Sequence, residues 1–312
     1  IADLYHPGRV VRPLKRTNPE KGIGVDPKWQ EITWEEALDI VVDKLGSLRE
    51  DDPRKLSMAS FDATSHLFQY AFCKAFGSPN VTWCASNFCG AGLHAVCMVT
   101  LGSCGNSEPD TERCNYLVQW GSQFGMGANN NPMVGARQMA AARKRGAKLV
   151  VVDPICSHAA GKADQWIPII PGTDGALGLC VSNLLVNELG IYDEEFLKKK
   201  TNAPYLIGAD GHYHRDEVTG KPLVWDTGAG CGKPFDDAGI EDEALAGNYE
   251  IGGKKAKPAF ELLRESLRKY APEEVSGITG VPQDTIRRFA RELGEAAQIG
   301  KTFDFKGHTL PL

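Results

Sequence analysis

Asn115-Tyr116-Leu117-Val118-Gln119-Trp120-Gly121-Ser122 and Lys148-Leu149-Val150-Val151-Val152-Asp153-Pro154 decide the fold. Each is a short, nearly continuous apolar run that breaks at once into a loop. That is the pattern of a strand buried on both faces of a parallel sheet. Between them, 132–145 carries Met133, Ala136, Met139 and Ala140 on one helical face. Arg143, Lys144 and Arg145 fill the last turn and Gly146 stops it. A strand, a helix and a strand at this spacing predict a parallel pair with a right-handed crossover. A third short strand is predicted at 167–170. It is followed by the turn Pro171-Gly172-Thr173-Asp174 and a helix over 175–189.

Outward from this core the signals vary. Residues 1–32 read as irregular, broken by Pro7, Pro13, Pro19, Gly22, Gly24 and Pro27. Thr33 with Glu36 forms a capping-box signature. Ala37, Ile40, Val41, Leu45 and Leu48 then give one apolar face to about Glu50. A strand is predicted at 56–60 and a helix at 66–76, and a small-residue helix starts near Gly90. From 201 to 257 the sequence is rich in Gly and Asp and predicts turns and short strands. Helices return at 260–270 and 285–293. The organisation is therefore a lead-in segment and helix over 1–55, an α/β domain over 56–200, an irregular insertion over 201–257, and the helical start of a following domain over 258–312.

The chain has 312 residues, 42% of them hydrophobic and 24% charged, enough for a real core. Lys+Arg is 35 against Asp+Glu 40, a net charge of −5, which excludes a broadly basic nucleic-acid binder. No apolar run approaches a membrane span. Ile1-Ala2-Asp3-Leu4-Tyr5-His6-Pro7 lacks the basic start and apolar centre of a signal peptide. Nine Cys is an odd number, and no C-x-x-C occurs, so zinc ribbons and ferredoxin-type clusters have no support.

In open parallel sheets, ligands bind beyond the carboxyl ends of the strands. Gly121-Ser122 and Asp153-Pro154 lie there, and Asp174 follows the third strand. Gly121 would let the chain approach a ligand, and loop amides can hold phosphate oxygens. Asp153 and Asp174 can accept hydrogen bonds from a ribose or a guanine. The plainer reading is that the glycines only make loops and the two aspartates only cap helices. Gly121, Gly125 and Gly127 read G-x-x-x-G-x-G, so the nicotinamide fingerprint fails.

Three ordered runs resemble the molybdopterin oxidoreductases of the dimethylsulfoxide-reductase superfamily. The first is Tyr5-His6-Pro7-Gly8-Arg9-Val10 with Arg12-Pro13-Leu14-Lys15-Arg16 and Ile32-Thr33-Trp34-Glu35-Glu36-Ala37-Leu38. The second is Gly146-Ala147 running into the 148–154 stretch. The third is Ala163-Asp164-Gln165-Trp166-Ile167-Pro168-Ile169-Ile170-Pro171-Gly172-Thr173-Asp174-Gly175-Ala176-Leu177. The likeness covers most of 1–200 and resumes at Ile278-Thr279-Gly280-Val281-Pro282. It implies an α/β fold with a parallel-sheet, Rossmann-like dinucleotide-binding domain. It implies a catalytic subunit that holds molybdenum or tungsten between two molybdopterin guanine dinucleotides. Position by position, Gly121, Ser122 and Gln123 match a loop that usually reads Gly-Ser-Asn, with Gln in place of Asn. Asp153 and Pro154 match the strand-end pair, and Gly172 and Asp174 match the turn whose Asp meets guanine.

The resemblance also places a metal ligand in 83–94, and Cys89, just before the small-residue helix, is assigned to it. Cys84 and Ser86 are the rivals. A thiolate suits a soft, sulfur-rich metal site, and a helix start favours the ionised thiol. Core packing is the expectation for Cys84, Cys97 and Cys104. Formate dehydrogenases of the family carry His directly after the ligand. Gly90 stands there, which weakens that reading, while His94 lies about a turn further on.

The implied chemistry is two-electron oxo or sulfur transfer on a small-molecule substrate, with thiosulfate or polysulfide reductases fitting a Cys ligand. The implied partners are an iron–sulfur electron-transfer subunit plus a membrane anchor subunit. A 4Fe–4S cluster is expected in the full-length chain, with ligands outside this sequence. The chain resembles the front and middle of a longer catalytic subunit whose carboxy-terminal barrel is missing. The 202–248 excursion resembles an insertion of longer members that act on sulfur compounds and other anions. The alternatives are a formate dehydrogenase-like or hydratase relative using the same cofactor and a cofactor-less structural subunit of a respiratory complex.

Overall fold

Residues 5–60, 63–83, 95–102, 109–122 and 132–311 are described by a computed structural model. They fall into two units, Ile1–Pro109 and Asp110–Leu312. The fold is mixed α/β with parallel sheets.

The first unit opens with a hairpin of β1 (Leu14–Arg16) and β2 (Trp29–Glu31), within a stretch expected to be irregular. Its cross-strand residues are charged or exposed, so no apolar alternation announces it. Helix α1 (Trp34–Asp51) starts where the capping signature puts it, with Glu36 N–H donating to Thr33 Oγ1 at 3.1 Å. Only half of the box forms, because the Glu36 carboxylate accepts from Lys15 Nζ at 3.3 Å instead. β3 (Met58–Ser60) and β4 (Val81–Trp83) pair in parallel around α2 (Ala63–Phe76). α3 (Ala95–Leu101) follows. The expected helix start near Gly90 lies outside the described residues.

The second unit is built on β5 (Tyr116–Trp120), β6 (Lys148–Val152) and β7 (Gln165–Ile167), parallel and adjacent in that order. Helix α4 (Pro132–Lys144) connects the first two. It ends in a Schellman motif: Ala147 N–H donates to Ala142 O, Gly146 N–H donates to Arg143 O, and Gly146 sits at φ +99°. The strand expected at 167–170 forms slightly earlier. Ile170 N–H bonds Thr279 O, outside the sheet, so the ladder closes at Ile167.

The apolar run of β6 is covered on both faces. Val150 and Val152 pack with Ile167, Leu177, Val181, Val275, Ile286 and Phe289. Leu149 and Val151 pack with Met139, Ala159 and Ala160. The first face is lined by α5 (Asp174–Asn183), α8 (Pro272–Thr279) and α9 (Gln283–Ala296). Ile286, Phe289, Ala290 and Leu293 make the inner stripe of α9 at i, i+3, i+4 and i+7.

The helix expected over 175–189 changes character at Leu184. The segment Leu184–Leu189 is π-helical and closes at Gly190, φ +64°. Asn183, which is buried, and Asn187 lie here. Asn187 donates to Asn183 Oδ1 at 2.8 Å and to Arg264 O at 3.0 Å. A short helix α6 (Glu194–Lys200) leads into the 201–257 stretch. That stretch holds an antiparallel sheet ordered β11–β12–β8 and a ribbon β9–β10. The strands are β8 (Leu206–Gly208), β9 (Leu223–Asp226), β10 (Cys231–Pro234), β11 (Tyr249–Ile251) and β12 (Lys254–Pro258). Its small core is Leu206, Leu223 and Ala256 under Trp225, Tyr249 and Ile251. Helix α7 (Ala259–Leu267) buries Phe260 in a separate cluster with Ala203 and Leu245. A final hairpin of β13 (Thr302–Phe305) and β14 (His308–Pro311) ends the described residues. Among the described residues no single helix is long and apolar enough to cross a membrane.

Candidate functional site

The three parallel strands end level with one another. Trp120 pairs with Val152, and Val152 with Ile167. Gly121 and Asp153, the residues that follow β5 and β6, therefore share one edge. Gly121 sits at φ +57°, which glycine adopts without strain, and its amide bonds Val152 O at 2.8 Å. A Cβ built on it would meet no described atom within 4 Å, so the space above the turn is open among the described residues.

Asp174 reaches the same edge from a different element. Ile170 O accepts from Thr173 N–H across Pro171-Gly172, with Gly172 at φ +82°. Pro then Gly in that order is the pattern of a type II turn, which needs positive φ at its third residue. The turn delivers Asp174 as the first residue of α5. There its Oδ1 accepts from Trp120 Nε1–H at 2.9 Å, linking the start of α5 to the end of β5.

The capping alternative holds for neither aspartate in its simple form. Thr173 is the N-cap of α5, and its hydroxyl donates back to Ile170 O at 2.7 Å. Asp174 thus lies beyond the cap, and its carboxylate is bonded to the sheet. Asp153 is buried, and its Oδ1 accepts from Ile155 N–H at 3.0 Å in a local turn. Its main-chain oxygen is held by Trp166 Nε1–H at 2.8 Å. Ser122 is half-buried beside Gly121, and Pro154 is exposed. Gln123 and Cys89 lie outside the described residues, as do Cys84, Ser86, Gly90, His94 and Cys104.

Asp164 serves the opposite, amino end of the strands. Asp164 Oδ2 accepts from Leu149 N–H at 2.7 Å and ties the β6–β7 connection to the sheet. Sequence reasoning missed the two tryptophans as site residues. The available signal was chemical: an indole has an N–H that seeks an acceptor, and Asp174 for Trp120 and the Asp153 carbonyl for Trp166 are those acceptors. Cys97 is buried on α3, as its core-packing reading expects. Burial pushes the Cys180 thiol up to about 11, so it stays protonated and packs as core. Among the described residues no group of three or more His, Cys, Asp or Glu is arranged to hold a metal ion.

Among the described residues the edge therefore offers an open glycine turn and two carboxylates at the carboxyl ends of parallel strands. Comparison with known proteins gives the same region a family. The molybdopterin oxidoreductase family model matches residues 9–231. A sulfite dehydrogenase subunit of Allochromatium vinosum is 32% identical over 96% of this chain and 32% of its own length. The thiosulfate reductase molybdopterin-containing subunit PhsA of Salmonella typhimurium is 32% identical over 65% of this chain and 25% of its own. Among solved structures, acetylene hydratase from Pelobacter acetylenicus aligns with TM-score 0.52 and 26% identity. That alignment covers 93% of this chain and 31% of the hydratase. The chain spans about a third of the length of the curated relatives it matches.

Proposed function

Because the chain belongs to the molybdopterin oxidoreductase family, we propose that it forms the guanine-dinucleotide-binding part of a molybdenum or tungsten bis(molybdopterin guanine dinucleotide) oxidoreductase. The observation that carries this reading is the Asp174 carboxylate, held by Trp120 at the same strand edge as Asp153 and Gly121. Carboxylates accept hydrogen bonds and donate none. They suit the N–H groups of a guanine edge and ribose hydroxyls, and they repel phosphate oxygens. Among the described residues, the open turn at Gly121 and the positive-φ turn at Gly172 leave room for a nucleotide to lie against backbone. The residues fit the group, in a Rossmann-like role.

When bound, the cofactor supplies two-electron oxo or sulfur transfer. The chain's own tasks are to hold the nucleotide ends, with Asp174 on guanine and Asp153 on guanine or ribose, while Gly121, whose amide is spent on Val152 O, lets the backbone come close and the Ser122 loop amide meets phosphate. Gln123 extends that loop, Pro154 and Gly172 shape the turns, and Cys89 is the metal-ligand assignment. The substrate reading is a sulfur oxyanion or related anion, supported by likeness to a sulfite dehydrogenase and a thiosulfate reductase. A 4Fe–4S cluster in the complete protein and an iron–sulfur partner subunit belong to the same proposal. A second reading, hydration at the same centre, is favoured by the likeness to acetylene hydratase.

Anaerobically isolated native protein should contain roughly one Mo or W atom and release about two guanosine monophosphates per chain on acid hydrolysis. Metal without guanine would overturn the dinucleotide form. Neither metal nor guanine would overturn the catalytic reading. Turnover without any electron acceptor would decide for hydration.

A further inference from the structure

The Trp120–Asp174 contact joins the last residue of a sheet strand to the first residue of a helix. Asp174 is exposed on a turn, where a short carboxylate would ordinarily sample several rotamers. Here one oxygen is bonded at 2.9 Å to an indole N–H, a group with a single proton to donate and nothing to accept with. That bond fixes the plane of the carboxylate. It uses one acceptor position and, among the described residues, leaves Oδ2 and the rest of Oδ1 for something else. The indole is itself fixed. Trp120 is held in β5, packs against the core between sheet and helices, and meets the Phe289 ring at a tilt of 59°, 6.2 Å between centroids. Phe289 is fully buried. A rigid chain of contacts thus runs from the core of α9 through Trp120 to the carboxylate.

We infer that Trp120 is a positioning residue for guanine recognition: it holds Asp174 in the plane that meets the N1–H and 2-amino group of guanine together. The inference rests on the guanine reading proposed above. A fixed plane matters because a carboxylate contacts those two donors at once only when it is coplanar with the base. A tumbling carboxylate would meet one donor or the other and would distinguish guanine poorly from hypoxanthine, which lacks the 2-amino group. A purely structural strut between β5 and α5 would make no such difference.

The test uses cofactor-free protein with GDP and IDP as probes, titrated calorimetrically. The wild type should prefer GDP on the order of tenfold, the worth of one added charge-assisted hydrogen bond. Trp120→Phe should bind IDP within about twofold of the wild type but lose at least threefold of the GDP preference. Asp174→Ala should lose the preference entirely. If Trp120→Phe retains the full preference while Asp174→Ala loses it, the positioning role is wrong and the guanine reading stands. If Asp174→Ala retains the preference, or the wild type shows none, the guanine reading itself fails. Should Trp120→Phe not fold, the indole N–H resonance of Trp120 in wild-type protein decides. It should shift on adding GDP and much less on adding IDP, and equal or absent shifts would overturn the inference.

Discussion

Phe289→Ala is the substitution that most directly probes how the core supports the strand edge. Phe289 is wholly buried on the inner stripe of α9, packed with Val152, Ile167 and Ile286 and beside the Trp120 ring. Replacing a buried Phe by Ala costs about 3–5 kcal/mol, from lost transfer energy and the cavity left behind. The upper half of that range applies here, because the strands and helices around the site are tied by backbone bonds and cannot collapse inward easily. For a unit of this size each kcal/mol moves the thermal midpoint by roughly 2–4 °C. The expected fall for the second unit is therefore about 8–20 °C. Differential scanning calorimetry gives the midpoint, and near-ultraviolet circular dichroism reports whether Trp120 has lost its fixed surroundings. Phe289→Leu keeps most of the volume and should cost about 1–1.5 kcal/mol. A Phe289→Ala loss below about 1.5 kcal/mol, or one equal to that of Phe289→Leu, would refute the placement of this ring at the centre of the core.

Three further outcomes follow from charges and turns. Asp226 has no exposed surface, and the Lys233 hydrogen bond at 2.6 Å, joined by amides of Asp242, Glu241 and Gly228, holds its carboxyl well below the usual range. Its stabilisation is present above the unfolded value near pH 4 and is lost as pH falls further; Asp226→Asn should therefore flatten the acid limb of the stability curve, and an unchanged limb would count against the network. Tyr116 is pushed the other way, by burial and by the neighbouring Glu292 carboxylate, which accepts its hydroxyl at 3.2 Å. The unfolded chain loses that proton first, so stability should decline from about pH 10 upward, and Tyr116→Phe should reduce that decline in alkaline urea titrations. Gly172→Ala meets no steric obstacle but must adopt φ +82°, so it should cost about 1 kcal/mol in denaturant melts, and a neutral result would contradict the left-handed turn.

The parts of the fold that were legible are those where one physical signal suffices. Strands β5 and β6 are apolar because both faces are covered, and the run of Val150, Val151 and Val152 states that directly. Helix α1 is announced by Thr33, whose side chain does cap it. The 201–257 stretch is less transparent. Lys254-Lys255-Ala256-Lys257-Pro258 forms the middle strand of a sheet with only Ala256 in its apolar core, so the alternation is drowned by lysine. The π-helical turn at Leu184–Leu189 was hidden for a related reason. The polar Asn183–Asn187–Arg264 bonding accompanies it, and an apolar period carries no trace of that.

The two aspartates show where sequence reading stops and geometry begins. In the sequence Asp153 and Asp174 are equivalent: each follows a strand, each neighbours a turn, and each could cap a helix or meet a ligand. Their carboxylates part company only in three dimensions. Asp153 spends one oxygen on its own loop, bonding Ile155 N–H, and Trp166 secures its carbonyl, so its first task is to shape the turn. Asp174 follows Thr173, which occupies the cap position of its helix, and its carboxylate accepts from an indole at the end of β5. A carboxylate that is exposed, oriented and not consumed by its own backbone is arranged for an external donor. That asymmetry makes Asp174 the stronger candidate for base recognition and leaves Asp153 the better placed for shaping the pocket. Asp174→Asn should therefore weaken guanine nucleotide binding more than Asp153→Asn does, while Asp153→Asn should lower the thermal midpoint more; the reverse ordering in a paired titration and melt would assign the two roles the other way round.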